Sequence, residues 1–198
     1  MARKRRRISK KPKKKELVRV TLTASKEFRN KEITNTMVVD PQHLINRKFY
    51  VNLADLTNNF SKYYIKIYFR IVDVKNGKTV TEFDSSECLR EYISRMIHRR
   101  IKRMDVIKDA TTKDGVKLRV KVVAVTYKGI TGIQKTKVRK IMWQVIEDYV
   151  SKVTLAEFIK KSIIGDELKN LLMEEVKKVY PLRNLEIRKV ERRWETKK

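Results

Sequence analysis

Cysteine is nearly missing from this chain: Cys88 stands alone, so no intrachain disulfide can form, which suits a reducing compartment. That thiol and two histidines, His43 and His98, are too few for a structural zinc site of the usual kind. Neither histidine has a Ser, Cys or carboxylate partner at motif spacing, and there is no P-loop or dinucleotide fingerprint. No enzyme, metal or cofactor is expected. The N-terminus lacks the apolar segment of a secretory signal, and neither a long apolar span nor a lipidation signal points to a membrane. A cytosolic chain is the expectation.

Acidic residues are also scarce, at 23 against 50 Lys and Arg, for a net charge of +27 over 198 residues. Ten cations crowd residues 1–15 with no acid among them: Arg3, Lys4, Arg5, Arg6, Arg7, Lys10, Lys11, Lys13, Lys14 and Lys15. This leaves +17 on the rest of the chain. A basic tail can be appended to any fold, but a body this positive repels itself and suits a polyanion. Nucleic acid leads; an acidic membrane surface is the alternative, without a span or anchor to support it. Residues 1–16 read as a basic arm, disordered when free, because dense like charge comes with little apolar surface. The run Lys4–Arg7 also has the composition of a nuclear address.

The chain is 41% hydrophobic, enough for residues 17–198 to build one α+β domain. Its organising stretch is Lys113 to Tyr127. Asp114-Gly115 is a tight-turn dipeptide. After it, Val116, Leu118, Val120, Val122 and Ala124 alternate with Lys117, Arg119 and Lys121, which predicts a strand with one apolar and one cationic face. Val123 and Val125 break the polar alternation, so the far end is expected to be covered on both faces. Further strands are predicted over Leu17–Ala24, Ile33–Asp40, Phe49–Leu53, Tyr64–Val74, Thr79–Phe83, Met104–Ala110 and Leu185–Trp194. Asn76-Gly77 marks a hairpin. In the last strand the apolar phase slips between Ile187 and Val190, as at a bulge.

Asp84 and Glu87 have the spacing of a helix N-cap pair, ahead of an apolar stripe running from Leu89 to Ile101. Three more helices are predicted: Lys137–Val153, a short one capped by Thr154 with Glu157 that ends near Gly165, and a third capped by Asp166 with Leu168, Leu171, Leu172, Val176 and Val179 inward. The result is a mainly antiparallel sheet or small barrel with about four helices, three clustered towards the C-terminus. Residues 17–127 are strand-rich and residues 136–198 helical.

Within the body, the candidate RNA-binding residues are the strand row Lys117, Arg119 and Lys121, the connector residue Lys128, and Lys135, Lys137, Arg139 and Lys140 at the start of the long helix. Three cations at alternate strand positions form an RNA surface unless acids compensate them, and Met104–Ala110 offers Asp105 and Asp109. Cations at a helix start run against the dipole, which an external phosphate would resolve; packing of the apolar stripe is the competing account. Gly129-Ile130-Thr131-Gly132 has the Gly-x-x-Gly form of a backbone-clamping loop, but it follows a strand instead of joining two helices, and a plain connector explains it better. Tyr63, Tyr64 and Tyr68 are candidates for base stacking or ordinary strand residues.

Several segments, in order, resemble one family. Val51-Asn52-Leu53-Ala54-Asp55-Leu56 resembles the Leu-Ala-Asp-Leu signature of archaeal and eukaryotic small-subunit ribosomal proteins of the eukaryotic-type "protein one", or three-A-e, family. Thr111-Thr112-Lys113-Asp114-Gly115 followed by Leu118-Arg119 is similar to that family's central hairpin; Val138-Arg139-Lys140 and Tyr180-Pro181-Leu182 match it further on. The matches span residues 17–190, and the shorter C-terminus resembles the archaeal form. The resemblance implies a structural, non-catalytic component of the small ribosomal subunit on its platform. Its partners would be small-subunit rRNA, neighbouring small-subunit ribosomal proteins and mRNA near the exit. The rival reading is a non-ribosomal RNA-binding or translation-associated factor. A DNA regulator is disfavoured, since no helix-turn-helix or dimer motif appears.

The arm yields a first prediction. Amide hydrogen exchange over residues 1–15 is expected to be unprotected in the free protein and slowed once the protein is bound to RNA; strong protection in the free protein would count against the reading.

Overall fold

The computed structural model describes residues 17–194; the arm read over residues 1–16 lies outside them. Eight strands form one sheet: β1 (Val18–Thr23), β2 (Glu32–Val38), β3 (Lys48–Asn52), β4 (Ile65–Lys75), β5 (Lys78–Cys88), β6 (Arg103–Thr111), β7 (Lys117–Thr126) and β8 (Leu182–Arg192). The helices are α1 (Leu53–Thr57), α2 (Arg90–Met96), α3 (Gly132–Lys152), α4 (Leu155–Phe158) continuing through π-helical turns over Ile159–Ile164, and α5 (Glu167–Lys177). The predicted α+β class and the C-terminal clustering of helices are observed. The sheet is open, so the barrel alternative is not adopted.

β5 is where the sheet branches. β4 runs antiparallel along one edge from the Asn76-Gly77 turn, in which Gly77 takes a φ of +71°. On the other edge, one end of β5 meets β1 in parallel at Lys78 and the other pairs Ser85–Glu87 with β8. β8 then pairs with β7, and β7 with β6 across the turn containing Gly115. Lys121 lies opposite Lys189 and Val122 opposite Ile187, so Arg188 is the extra residue of a bulge. This is where the apolar phase slips in the sequence.

The period-two reading of β7 holds. Leu118, Val120, Val122 and Ala124 are buried in the main core with Phe69, Phe83, Leu185 and Val190. That core is covered by α3 through Val138, Met142, Ile146 and Val150, and by α5 through Leu168, Leu172 and Val176. Val123 and Val125 face the other way and pack with Tyr64, Cys88 and Ile93, where α2 covers the far end of the sheet. Burial there pushes the Cys88 thiol up to about 12.

Four expectations are corrected. Asp84 and Glu87 do not cap a helix: β5 continues to Cys88 and α2 begins at Arg90. Pairing of Ser85–Glu87 with β8 holds that segment extended, and Asp84 is the extra residue of a bulge against β4. Its buried carboxylate accepts from Lys48 Nζ (2.7 Å), Trp194 Nε1 (2.7 Å) and Arg70 Nη2 (3.2 Å). The helix expected to reach Ile101 stops at Met96, although Ile97 and Ile101 still pack on the α2 cluster. The long helix starts at Gly132, five residues before the expected Lys137, because Thr131 and Gln134 form a capping box. On α5, Leu171 and Val179 are exposed rather than inward. Asp166 does stand at its N-cap position, but with φ +60° and its carboxylate on Lys62 Nζ at 2.7 Å.

The core also holds a charge pair. Glu186 is 4% exposed and accepts from Lys169 Nζ at 2.6 Å and from the Tyr92 hydroxyl at 3.4 Å. Desolvation raises the Glu186 pKa even so, with Lys169 opposing it. Lys169→Met is therefore expected to cost about 3–5 kcal/mol in urea unfolding, as for other buried pairs broken on one side. A group whose folded pKa is raised favours the folded state at low pH, so this variant should regain stability on acidification as Glu186 protonates in place.

Candidate nucleic-acid interface

The cationic row of β7 is largely compensated. Arg119 donates from Nε and Nη2 to the two Asp109 oxygens, each at 2.6 Å, across the β6–β7 pairing. Lys121 meets Glu191 at 3.0 Å, Lys189 bridges Glu191 (3.1 Å) and Glu87 (3.5 Å), and Arg192 meets Glu82 at 2.6 Å. Lys117 is exposed at the start of β7. The open face of the sheet is thus a network of alternating charge. The hydrogen bonds from Arg119 hold the Asp109 carboxyl below its ordinary range. Burial alone would raise Glu191, but bonds from Lys121 and Lys189 reverse the shift.

The start of α3 also differs from the sequence reading. With Gly132 as the first residue, Lys137 lies in the second turn, and Arg139 and Lys140 beyond it, where the end dipole has faded. Thr131 Oγ1 already accepts from the Gln134 N–H. Burying Val138, Met142, Ile146 and Val150 contributes about 1.5–3 kcal/mol each. This exceeds the roughly 0.3–1 kcal/mol per misplaced terminal cation. Packing therefore accounts for this helix without a bound phosphate.

One group of uncompensated cations gathers elsewhere, at one end of the sheet. The buried Thr126 hydroxyl accepts from the Lys102 N–H (3.1 Å) and donates to the Lys128 carbonyl (2.6 Å), tying the segment before β6 to the connector after β7. Leu182, at the start of β8, lies opposite Thr126, and the Tyr180 hydroxyl donates to the Gly129 carbonyl at 3.0 Å. Residues 98–102, 127–135 and 180–183 therefore converge. Their cations Arg99, Arg100, Lys102, Lys128, Lys135 and Arg183 have no carboxylate partner among the described residues; all but the half-buried Lys135 are exposed. Lys137 and Lys140 extend the patch along the exposed side of α3, and Arg139 is half-buried with its Nε unpartnered. Tyr127, 59% exposed, forms one wall of a groove of about 520 Å³ against Met173, Lys177 and Pro181.

Of the tyrosines singled out from sequence, Tyr64 is stacked on Tyr92 (centroids 3.8 Å apart, 4° between planes) and buried. It is not available to a base. Tyr63 is half exposed, and Tyr68 pairs with Tyr50 on the open face.

A model of the ribosomal S3Ae family matches residues 3–194. The chain belongs to the ribosomal S3Ae family. It is 37% identical to the small ribosomal subunit protein eS1 of Sulfurisphaera tokodaii over 169 residues, 85% of this chain and 87% of that protein. The eS1 protein of Thermoplasma acidophilum is 37% identical over 162 residues (82% and 75%), and that of Methanopyrus kandleri 33% over 180 (89% and 85%). The family resemblance read from the Leu-Ala-Asp-Leu segment and the central hairpin is thereby established. In this member the signature residues Leu53 and Ala54 are buried in α1, directly after β3.

Lys128, Lys135, Lys137 and Lys140 lie in or beside the cationic end, whereas Arg119 and Lys121 sit in the neutralised network. Arg3 to Lys15 lie outside the described residues. Sequence reading passed over Arg99, Arg100, Lys102 and Arg183. The acid-free run His98–Arg103 is the signal for the first three, and α2 ends before it. Because the Asp109 and Glu191 pKa values are lowered, their share of stability is present above the ordinary carboxylate range and lost as pH falls through the lowered values. Urea midpoints measured down an acid series should fall accordingly. Arg119→Gln should blunt that fall, since Asp109 then titrates nearer its ordinary value.

Proposed function

We propose that this S3Ae-family chain is a structural, RNA-binding component of the small ribosomal subunit, acting in translation in the cytoplasm. The observation that carries the reading is the family match over nearly the whole described body together with relatives that bear a small-subunit ribosomal name. The fold supplies a consistent physical basis. Carboxylates hold Arg119, Lys121, Lys189 and Arg192 on the open sheet face, while Arg99, Arg100, Lys102, Lys128, Lys135 and Arg183 form an uncompensated end that suits phosphate backbones. Small-subunit rRNA is the ligand of that end, and neighbouring small-subunit proteins complete the setting. A position on the platform near the mRNA exit is the finer part of the proposal. Lys117, Arg119 and Lys121 take a smaller part in RNA binding than sequence alone suggested, and the arm of residues 1–16 follows the RNA backbone.

The deciding experiment is co-sedimentation with small subunits through a high-salt wash. Retention supports a core component; release favours the rival reading of a loosely bound translation factor. A second measurement addresses the interface. Replacing Arg99, Arg100, Lys102, Lys128 and Lys135 with Gln should reduce the log–log salt slope of RNA binding by about 0.7–0.9 for each phosphate no longer neutralised. The melting temperature should barely change. The pair Arg119→Gln and Lys121→Gln should leave the slope close to that of the parent.

A further inference from the structure

The open face carries a second feature, separated from the cationic end by the β5 and β8 strands. Among the described residues β3 pairs with β4 alone and is an edge of the sheet. Lys48 lies opposite Arg70, and Tyr50 opposite Tyr68. Lys66, Tyr68 and Arg70 are two residues apart along β4, so all five side chains share one face. Arg70 Cζ lies 4.5 Å from the Trp194 ring centroid, and Trp194 is pinned by its bond to Asp84, so an aromatic continues the strip. Cation and aromatic alternate along it.

Two details separate this strip from an ordinary cross-strand aromatic pair. Tyr50 is 56% exposed, with its ring centroid 5.7 Å from that of Tyr68 at 47°, so its ring remains largely open to solvent. Lys66 lies opposite Glu87 in the register yet forms no ion pair with it; its Nζ sits 4.5 Å from the Tyr50 ring centroid, while Glu87 is taken by Lys189. Glu82, opposite Arg70, is held by Arg192, and Asp84, which holds Lys48 and Arg70, is buried beneath the strip. The face presented to solvent is therefore π surface beside the Lys66 ammonium, unpaired among the described residues, with Lys48 and Arg70 held at its edge by Asp84; aromatic rings with cations beside them are how proteins hold unpaired nucleotides.

We propose that the strip is a platform for single-stranded RNA. One base stacks on Tyr50, displacing the Lys66 ammonium from the ring to an adjacent phosphate; a second lies on Tyr68; the backbone continues past Lys48 towards Trp194. The edge position of β3 lets the strand leave sideways without meeting the rest of the sheet. The proposal rests on the RNA-binding reading above and adds to it a contact of different chemistry: stacking on unpaired bases, against phosphate charge at the other end.

The test uses the full chain and a thiouridine-containing single-stranded oligoribonucleotide. Photo-crosslinks are expected on the peptides carrying Tyr50 and Tyr68; crosslinks confined to residues 98–102 and 127–140 would overturn the proposal. Tyr50→Leu with Tyr68→Leu should weaken single-stranded RNA binding about tenfold or more, given the worth of base–aromatic stacking. Duplex binding and co-sedimentation should be unaffected, and Tyr50→Phe with Tyr68→Phe should bind like the parent. Undiminished single-strand affinity in the leucine variant, or an equal loss on duplex, overturns the platform. Failure of the parent protein to co-sediment counts instead against the ribosomal reading. In purified subunits, a Tyr50 crosslink to the subunit's own RNA or to an added strand identifies the source; a crosslink to neither overturns the platform.

Discussion

Carboxylates are the limiting resource in this protein, and their placement decides where it is positive. With 23 acids against 50 cations, most basic side chains cannot find a partner within the fold. Five of the acids, Glu82, Asp84, Glu87, Asp109 and Glu191, each hold one or more cations of other strands of the sheet. Those pairs knit the strands together across the open face. Part of the excess lies at the end where residues 98–102, 127–135 and 180–183 converge. Exposed pairs contribute little to stability individually. Their larger effect is to define, by contrast, which surface remains available to a polyanion.

The second organising fact is that one sheet serves two cores of unequal depth. Long strands allow α3 and α5 to cover one face while α2 covers only the far end of the other. The rest of that second face stays open, which is what lets Tyr50, Tyr68 and Trp194 reach solvent beside Lys48, Lys66 and Arg70. Two buried carboxylates hold the arrangement in register. Asp84 fastens β3, β4 and the C-terminal Trp194 to the bulge of β5. Glu186 fastens β8 to α5 and α2 through Lys169 and Tyr92. Each is costly to bury alone and tolerable only because its partners are in place.

A good deal was legible in the chain itself. Alternation from Val116 to Val125 determined a strand with a cationic face and a far end buried on both sides, because the side-chain period of a strand is two whatever surrounds it. Asn76-Gly77, Asp114-Gly115 and the Thr154–Glu157 capping box are local chemistry, and each stands where the sequence placed it. The slip between Ile187 and Val190 located the β8 bulge, and composition alone determined the net charge of +27.

Tertiary structure decided what depends on neighbours distant in sequence. Asp84 and Glu87 have helix-cap spacing, but pairing with β8, some hundred residues away, kept them in a strand. The row Arg119 and Lys121 reads as an RNA surface until β6 and β8 bring Asp109 and Glu191 alongside. Tyr64 reads like Tyr68 until α2 lays Tyr92 against it. Arg99, Lys102, Lys128 and Arg183 become one surface only because Thr126 and Tyr180 join three segments. Local periodicity specifies which way a side chain points. Which charges are cancelled and which aromatics are left bare follows from strand order, and strand order is set by long-range pairing.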